Sequence, residues 1–391
     1  MNQKSLSKVE QLINKGVKIP NPDTIEIGES VSLDRISGKG TVIHSGSKIF
    51  GSSTLILDNV KIGYENPVTV SNCYLGPGAK LKGGFFHQAV FLKNTSAGSG
   101  AQVREGTIVE EEASIAHTVG LKQTILFPFV TLGSLINFCD CLMSGGTEKK
   151  DHSEVGSSFI HFNYTPNQDK ATPSLLGDVP HGVMLNRKPV FLGGQGGLVG
   201  PCRLTFGTVT AAGTICRKDE LREGRLIFGG LEKSGNIPYS AASYKIIKRP
   251  VLNNIIYIAN LIALMRWYDN VRSLFITDNF PLDLLQGMKA TLSLGISERI
   301  KRLREFSEKI PDLNAKWPEV EKQFHELENT RGDERLMDNF IKSLEYHIDT
   351  SDKDYIKTIK SIPDDEKESG TAWLQSIVDQ ILEEIQWWEG K

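Results

Sequence analysis

The sequence predicts a parallel β-helix of roughly ten coils followed by an all-α region. Three observations predict this. Glycine is unevenly spread: of the 37 in the chain, only Gly287, Gly295, Gly332, Gly370 and Gly390 lie beyond residue 243. Before that point apolar residues recur at intervals near six, as in Ile25 and Val31, then Ile43, Ile49 and Leu55. Beyond it the apolar spacing shortens to the three or four residues of amphipathic helices.

Residues 1–24 read as an N-terminal helix and lead-in, with "SLSKVEQLINKG" as the helix and its glycine stop. Residues 25–235 read as the β-helix domain. Short β-type runs such as "KIFGSSTLILDNVKIG", "GTIVEEEASIAHTVG" and "LTFGTVTAAGTIC" are punctuated by apolar–glycine pairs, among them Ile62-Gly63, Leu132-Gly133 and Val199-Gly200. A helix would not tolerate so many glycines. Hairpins would show two-residue turn pairs at longer spacing. Three short flats with tight corners make one coil of about 18 residues, and at ~4.8 Å between strands the prism is roughly 45–50 Å long. Residues 243–391 read as an α-helical domain. "VLNNIIYIANLIALMRWYDNVRSLF" is apolar on all sides and follows Pro250, and a second amphipathic run stops at Pro311. An open last coil exposes unpaired backbone, so the helices are expected to pack on the C-terminal end of the prism as a plug.

Composition narrows the function classes. The formal net charge is −2, and the pI is near 6.5. No basic balance calls for nucleic acid or an acidic membrane surface. The opening "MNQKSLSKVEQLINKG" lacks the apolar stretch of a signal peptide, and "IIYIANLIALM" (255–265) is too short to span a bilayer. The five cysteines, Cys73, Cys139, Cys141, Cys202 and Cys216, are odd in number and read as reduced thiols in a cytoplasmic protein.

Four segments carry a resemblance: "LINKGVKIPNPDTIEIG", "QVREGTIVEEEASIAHTVGLK", "EVGSSFIHFNY" and "VFLGGQGGLVGPCRLTFGTVTAAGTICRKD". Together they resemble the left-handed β-helix (hexapeptide-repeat) superfamily. The nearest likeness within it is the acetyltransferase half of the bifunctional UDP-N-acetylglucosamine pyrophosphorylase/glucosamine-1-phosphate N-acetyltransferase family. It spans about residues 8–219. The family's N-terminal nucleotide-binding domain, with its glycine-rich signature, has no counterpart here, so nucleotidyl transfer is not expected. The helical C-terminus is foreign to that family.

The resemblance implies a site. Arg104 falls on the family's phosphate-binding arginine and Lys122 on its sugar-phosphate lysine. Asn163 falls on the amide that holds substrate, with Tyr164 beside it. Lys170 is one residue displaced from a further lysine. Two cations and an amide on stacked coils suit an anionic sugar phosphate or nucleotide sugar. Ala211 and Ala212 fall in the coil implied to line an acyl-donor cleft, with acetyl-CoA or another acyl-CoA as cofactor. The family is trimeric with sites between subunits, so a homotrimer is expected; the stretch with Phe85, Phe86 and Phe91 would want covering.

The general base is where the sequence departs from the family. Counting from Lys122, the family's catalytic histidine falls on Ser134 and its partner tyrosine on Asn137. Counting back from Asn163, it falls on Asp140. His161 and His152 are near in sequence, and Asp151 or Asp140 would orient them. His161 shares a strand face with Asn163, and would point into the groove if that face is the outer one. A zinc reading through His117, His152, His161 and His181 with Cys139 and Cys141 matches no ligand spacing, so no metal is expected. Two functions stand: an acyltransferase-like enzyme acting on an amino-sugar phosphate, or a non-catalytic trimer that binds a sugar nucleotide or serves as a scaffold.

Overall fold

The computed structural model describes residues 7–229 and 247–386. Helix α1 (Lys8–Lys15) is closed at its front by a capping box between Ser7 and Glu10 and at its back by Gly16 in the left-handed conformation. A left-handed parallel β-solenoid of about 11 turns follows over residues 26–227. This matches the roughly ten coils expected over 25–235, with strands Ile215–Cys216 and Leu226–Ile227 closing its ladders.

Each turn visits three flats in order. Flat A is a ten-stranded ladder from Val42–Ile43 to Leu226–Ile227. Flat B runs from Glu26–Ile27 to Ile215–Cys216, its two sections joined through single bridges at Asn137. Flat C is an eight-stranded ladder from Leu55–Ile56 to Arg203–Leu204. Corners take left-handed backbone, as at Asn72 and Gly63; the short Asn side chain tolerates that conformation and glycine adopts it freely.

On most of flat A each strand alternates a polar outward residue with an apolar inward one, as in Lys61-Ile62, Lys80-Leu81, Ser114-Ile115 and Thr131-Leu132. Flat C differs. Its inward ladder of Ile56, Leu75, Phe91, Val109, Leu126, Met143, Leu176 and Leu204 is flanked by a second, outward ladder in register: Leu55, Tyr74, Val90, Ile108, Ile125, Leu142 and Leu175. A flat apolar on both faces must be covered on both.

The helices cover it. After a one-turn helix α2 (Val179–Gly182) in an insertion of the solenoid, the C-terminal region contains α3 (Lys248–Asn270), α4 (Leu282–Ser307), α5 (Pro311–Leu327), α6 (Glu334–Thr350), α7 (Tyr355–Ser361) and α8 (Asp364–Glu384). α3 begins beside the last coils, where Arg249 and Asn253 hold Asp219. It ends beside Glu110 and Glu111. α4 returns along the same flat, from an ion pair between Asp283 and Arg35 to one between Arg299 and Asp140. Gly287 of α4 lies against the ring of Tyr74, where a Cβ would sit 2.5 Å from the ring. The expected plug on the C-terminal end is therefore corrected: the helical region lies along one flank. In the last described coil Leu226 and Phe228 are exposed.

All five cysteines are unpaired. Among the described residues no helix is long and apolar enough to cross a membrane.

Buried charge marks the seam between solenoid and helices. The Tyr268 hydroxyl donates to Glu110 Oε1 (2.6 Å), and Arg272 pairs with Glu111. Burial, and after it the neighbouring Glu111 charge, push the Glu110 carboxyl up to about 7. Its folded pKa lies above its unfolded one, so between about pH 4.5 and 7 the folded state holds more protons. This contribution to stability is present at low pH and is lost as pH rises through that window. Glu110→Gln keeps an acceptor for Tyr268 and cannot ionise. It is expected to raise stability by about 1–3 kcal/mol at pH 8, with the gain vanishing near pH 5. Thermal unfolding at the two pH values checks this; a gain of equal size at both would contradict it.

Candidate functional site

The substrate residues implied by the resemblance gather on one edge of the prism, the corner between flats B and C. The Arg104 backbone N–H donates to Leu121 O (2.9 Å), and the Asp140 N–H to Lys122 O (2.8 Å). Arg104, Lys122 and Asp140 therefore occupy three consecutive coils at one corner, about 4.8 Å apart along the axis. Asn163 sits on the next coil, because the strand Ile160–Phe162 follows Asn137 in the ladder. Its Nδ2 donates to Asp140 Oδ2 (2.7 Å).

The helical region reaches this corner. Asp140 Oδ1 pairs with Arg299 Nη2 of α4 at 2.8 Å, both side chains buried. The half-buried Asn163 amide is thus held by a carboxylate that a helical arginine fixes in turn. Lys122 Nζ lies 2.6 Å from Glu105 Oε1. Partial burial pushes the Glu105 carboxyl up, but the Lys122 bond and charge outweigh it and leave the group below its ordinary value. Arg104 is exposed, and its guanidinium has no ion-pair or hydrogen-bond partner among the described residues. Cys139 lies between these groups. Burial first, then the Asp140 charge, push its thiol up to about 12 against the pull of Lys122 and Arg104. At neutral pH it is a thiol and not a nucleophile. Tyr164 is exposed in the loop beyond Asn163, and so is Lys170. Lys309, between α4 and α5, ties that loop down through Asp169 Oδ1 (2.7 Å) and Asn167 O (2.7 Å).

The two histidines considered as bases lie elsewhere. His161 faces into the prism and is 1 % exposed. Its Nδ1 donates to Cys139 O (2.6 Å) and its Nε2 accepts from Ser174 Oγ (2.8 Å). Burial pushes its pKa down to about 4. The condition for a groove-facing base, an outward strand face, is not met: Ile160 and Phe162 take the outward positions. His152 stands on an antiparallel hairpin, Gly146–Glu148 with Asp151–His152, at the corner between flats C and A. Its Nε2 is 3.7 Å from Glu154 Oε2, and Asp151 is bonded to Thr147 (2.8 Å). His152 therefore sits on a different edge of the prism from Arg104 and Lys122. Among the described residues no three His, Cys, Asp or Glu side chains converge as a metal site.

The third corner, between flats A and B, carries Ser134 and the expected acyl-donor residues Ala211 and Ala212. It also carries an arrangement that the sequence reading passed over. Ser134 Oγ lies 2.7 Å from His117 Nδ1, one coil earlier, and both are open to solvent. The helices lie on flat C, opposite this corner. The signal was present in the chain: stepping back one coil of 17 residues from Ser134 reaches His117.

No family model matches the chain. It is similar to "Bifunctional protein GlmU" of Thermotoga sp. (strain RQ2), 28% identical over 218 residues, covering 56% of this chain and 43% of that protein. The protein of the same name from Thermotoga maritima is 27% identical over 218 residues, with the same coverage. That of Pelobacter propionicus is 27% identical over 209 residues, 53% of this chain and 40% of that protein. The chain spans less than half the length of these relatives. The identity and the parallel solenoid together fit the hexapeptide-repeat acetyltransferase half of GlmU.

Proposed function

We propose that this chain, whose solenoid fits the acetyltransferase half of GlmU, binds a sugar phosphate or nucleotide sugar along the B–C corner and transfers an acyl group to an amino group on it. One observation carries the reading: an exposed, unpartnered Arg104 stands one coil from Lys122 and two from Asp140, which holds Asn163. In this reading Arg104 and Lys122 take the phosphate, with Lys122 exchanging Glu105 for it. Asn163 and Tyr164 meet hydroxyls, and Lys170 closes over the anion. The acyl donor is an acyl-CoA lying along the A–B corner past Ala211 and Ala212. The base is His117. With its Nδ1 held by Ser134 Oγ, Nε2 takes a proton from the amine as nitrogen attacks the thioester carbonyl. The N–C bond forms, the C–S bond breaks, and the coenzyme A thiolate leaves with the proton.

His117 and Lys122 stand at opposite corners of flat B, five residues apart and so at most about 16 Å at ~3.3 Å per residue. One copy cannot bring both to one small substrate, so the A–B corner of one prism must meet the B–C corner of another. A homotrimer of parallel prisms does this. The exposed Phe191, Val209 and Leu226 on flat A and Ile160, Phe162 and Ile215 on flat B support it. The reduced cysteines suit a cytoplasmic protein.

A second reading, a non-catalytic sugar-nucleotide-binding trimer or scaffold, is favoured by a specific observation: Lys122 and Asn163 are already engaged by Glu105 and Asp140. One experiment separates the two. Glucosamine 1-phosphate and UDP-N-acetylglucosamine are titrated into wild type, Arg104→Ala, Lys122→Ala and His117→Ala, and acetyl transfer from acetyl-CoA is assayed in each. Loss of either cation is expected to weaken binding about ten- to a hundredfold. His117→Ala should bind as wild type does and lose transfer. Binding without transfer in wild type leaves the second reading, and equal affinities in all four proteins remove the site.

A further inference from the structure

We propose that the cavity between the C–A corner of the solenoid and the helical region is a binding site for a small organic anion, a phosphate monoester or a carboxylate. It lies at a different edge of the prism from the B–C corner and does not depend on the function proposed there. The cavity measures about 660 Å3, within the range that holds a small molecule and well above the need of one water.

Arg272 forms its floor. The side chain is 1 % exposed, with the guanidinium 3.8 Å from the ring centre of Tyr355 and 4.5 Å from that of Phe280. Nη2 goes to Glu111, while Nε and Nη1 have no hydrogen-bond partner. Buried donors without partners are costly, and a planar fork with free N–H groups suits a carboxylate or phosphate.

Charge at the mouth points the same way. Five carboxylates line the cavity, and four are already paired: Glu111 to Arg272, Glu112 to Lys149, Glu148 to Lys360 and Asp354 to Lys93. That leaves Lys150 and Lys353, neither with an ion-pair partner among the described residues, against Asp352 alone. Asp352 and Lys353 both adopt left-handed backbone, at φ 54° and 55°. Two such non-glycine residues in succession are strained and persist only where the surroundings hold them. Phe129, Phe275 and Phe280 in the wall would meet the carbon part of the ligand. The hairpin 146–152, an insertion in the solenoid, straps one side: Lys149 reaches Glu112, and Glu148 reaches Lys360 of α7 at 3.6 Å.

The test is calorimetric titration of the full chain with glycerol 3-phosphate, succinate and inorganic phosphate. Wild type should bind at least one organic anion with Kd of about 1 mM or tighter. The double variant Lys150→Ala/Lys353→Ala should bind it at least about fivefold more weakly with unchanged melting, since both lysines are at the mouth. Preference for glycerol 3-phosphate over succinate assigns a phosphate ester, and the reverse assigns a carboxylate. Arg104→Ala/Lys122→Ala should leave this affinity unchanged. Heat that survives loss of Lys150 and Lys353 but vanishes with Arg104 and Lys122 overturns the cavity and places the anion at the other corner. No heat with any of the three up to about 10 mM overturns it as well, leaving a cavity for ordered water.

Discussion

A chain ending at residue 242 is expected to aggregate during expression or elute as large assemblies, because deletion of the helices uncovers flat C. Leu55, Tyr74, Val90, Ile108, Ile125, Leu142 and Leu175 form one outward ladder in register. At ~4.8 Å per coil it is a continuous apolar strip roughly 30 Å long. Soluble monomers rarely expose a patch of that size. The strip lies flat on a sheet, so nothing opposes its pairing with a second copy. The cause can be separated from a general failure to fold. Replacing Leu55, Val90 and Ile125 by threonine in the truncated chain keeps β-branched or strand-compatible residues and interrupts the strip; it should restore soluble protein. Size exclusion with light scattering decides. A truncated chain of unchanged sequence that runs as a discrete species and melts as the full chain does would show that the helices are not needed to cover the flat.

The coil period, the glycine boundary near residue 243 and the helices were legible because each is a local pattern, set by what fits a corner or a helix face. The flank on which the helices lie was also written in the chain. One strand in three has two adjacent apolar residues, as in Leu55-Ile56, Ile108-Val109, Ile125-Leu126 and Leu142-Met143, where flat A has Lys61-Ile62 or Thr131-Leu132. Reading each strand for its inward residue alone hides this. His161 was not legible, for a different reason. Strand alternation says that Phe159 and His161 share one face and Ile160 and Phe162 the other, but not which is inside. Hydropathy favours burying Ile160 and Phe162, and the fold does the reverse. It can do so because Cys139 O and Ser174 Oγ satisfy both ring nitrogens of His161. Those partners come from other coils, and sequence does not reveal their geometry. Arg299 was hidden in the same way. It lies in the basic run "ERIKRLREF" (298–306), yet is buried against Asp140, 159 residues earlier in the chain.

Arg272→Met is expected to cost about 3–5 kcal/mol of stability at neutral pH. Arg272 is the cation on which a run of buried acid depends. It pairs with Glu111, and Glu110, next in sequence and bonded to Tyr268, lies within its field. Taking the guanidinium away leaves Glu111 buried without a counter-charge. Methionine fills much of the volume and still packs against Tyr355 and Phe280, so the loss reports the charge more than a cavity. The contrast between one partner and both is the check. Glu111→Gln added to Arg272→Met removes the stranded charge and should recover more than half of the loss, because breaking a buried pair is worse than replacing both members. Urea unfolding can be followed through Trp267, whose indole donates to Tyr355 Oη (3.0 Å) and so reports on this seam. If the single variant loses less than about 1 kcal/mol, or the double is no better than the single, then the pair is not what fixes the helical region to the solenoid, and the apolar ladder of flat C holds the two together without it.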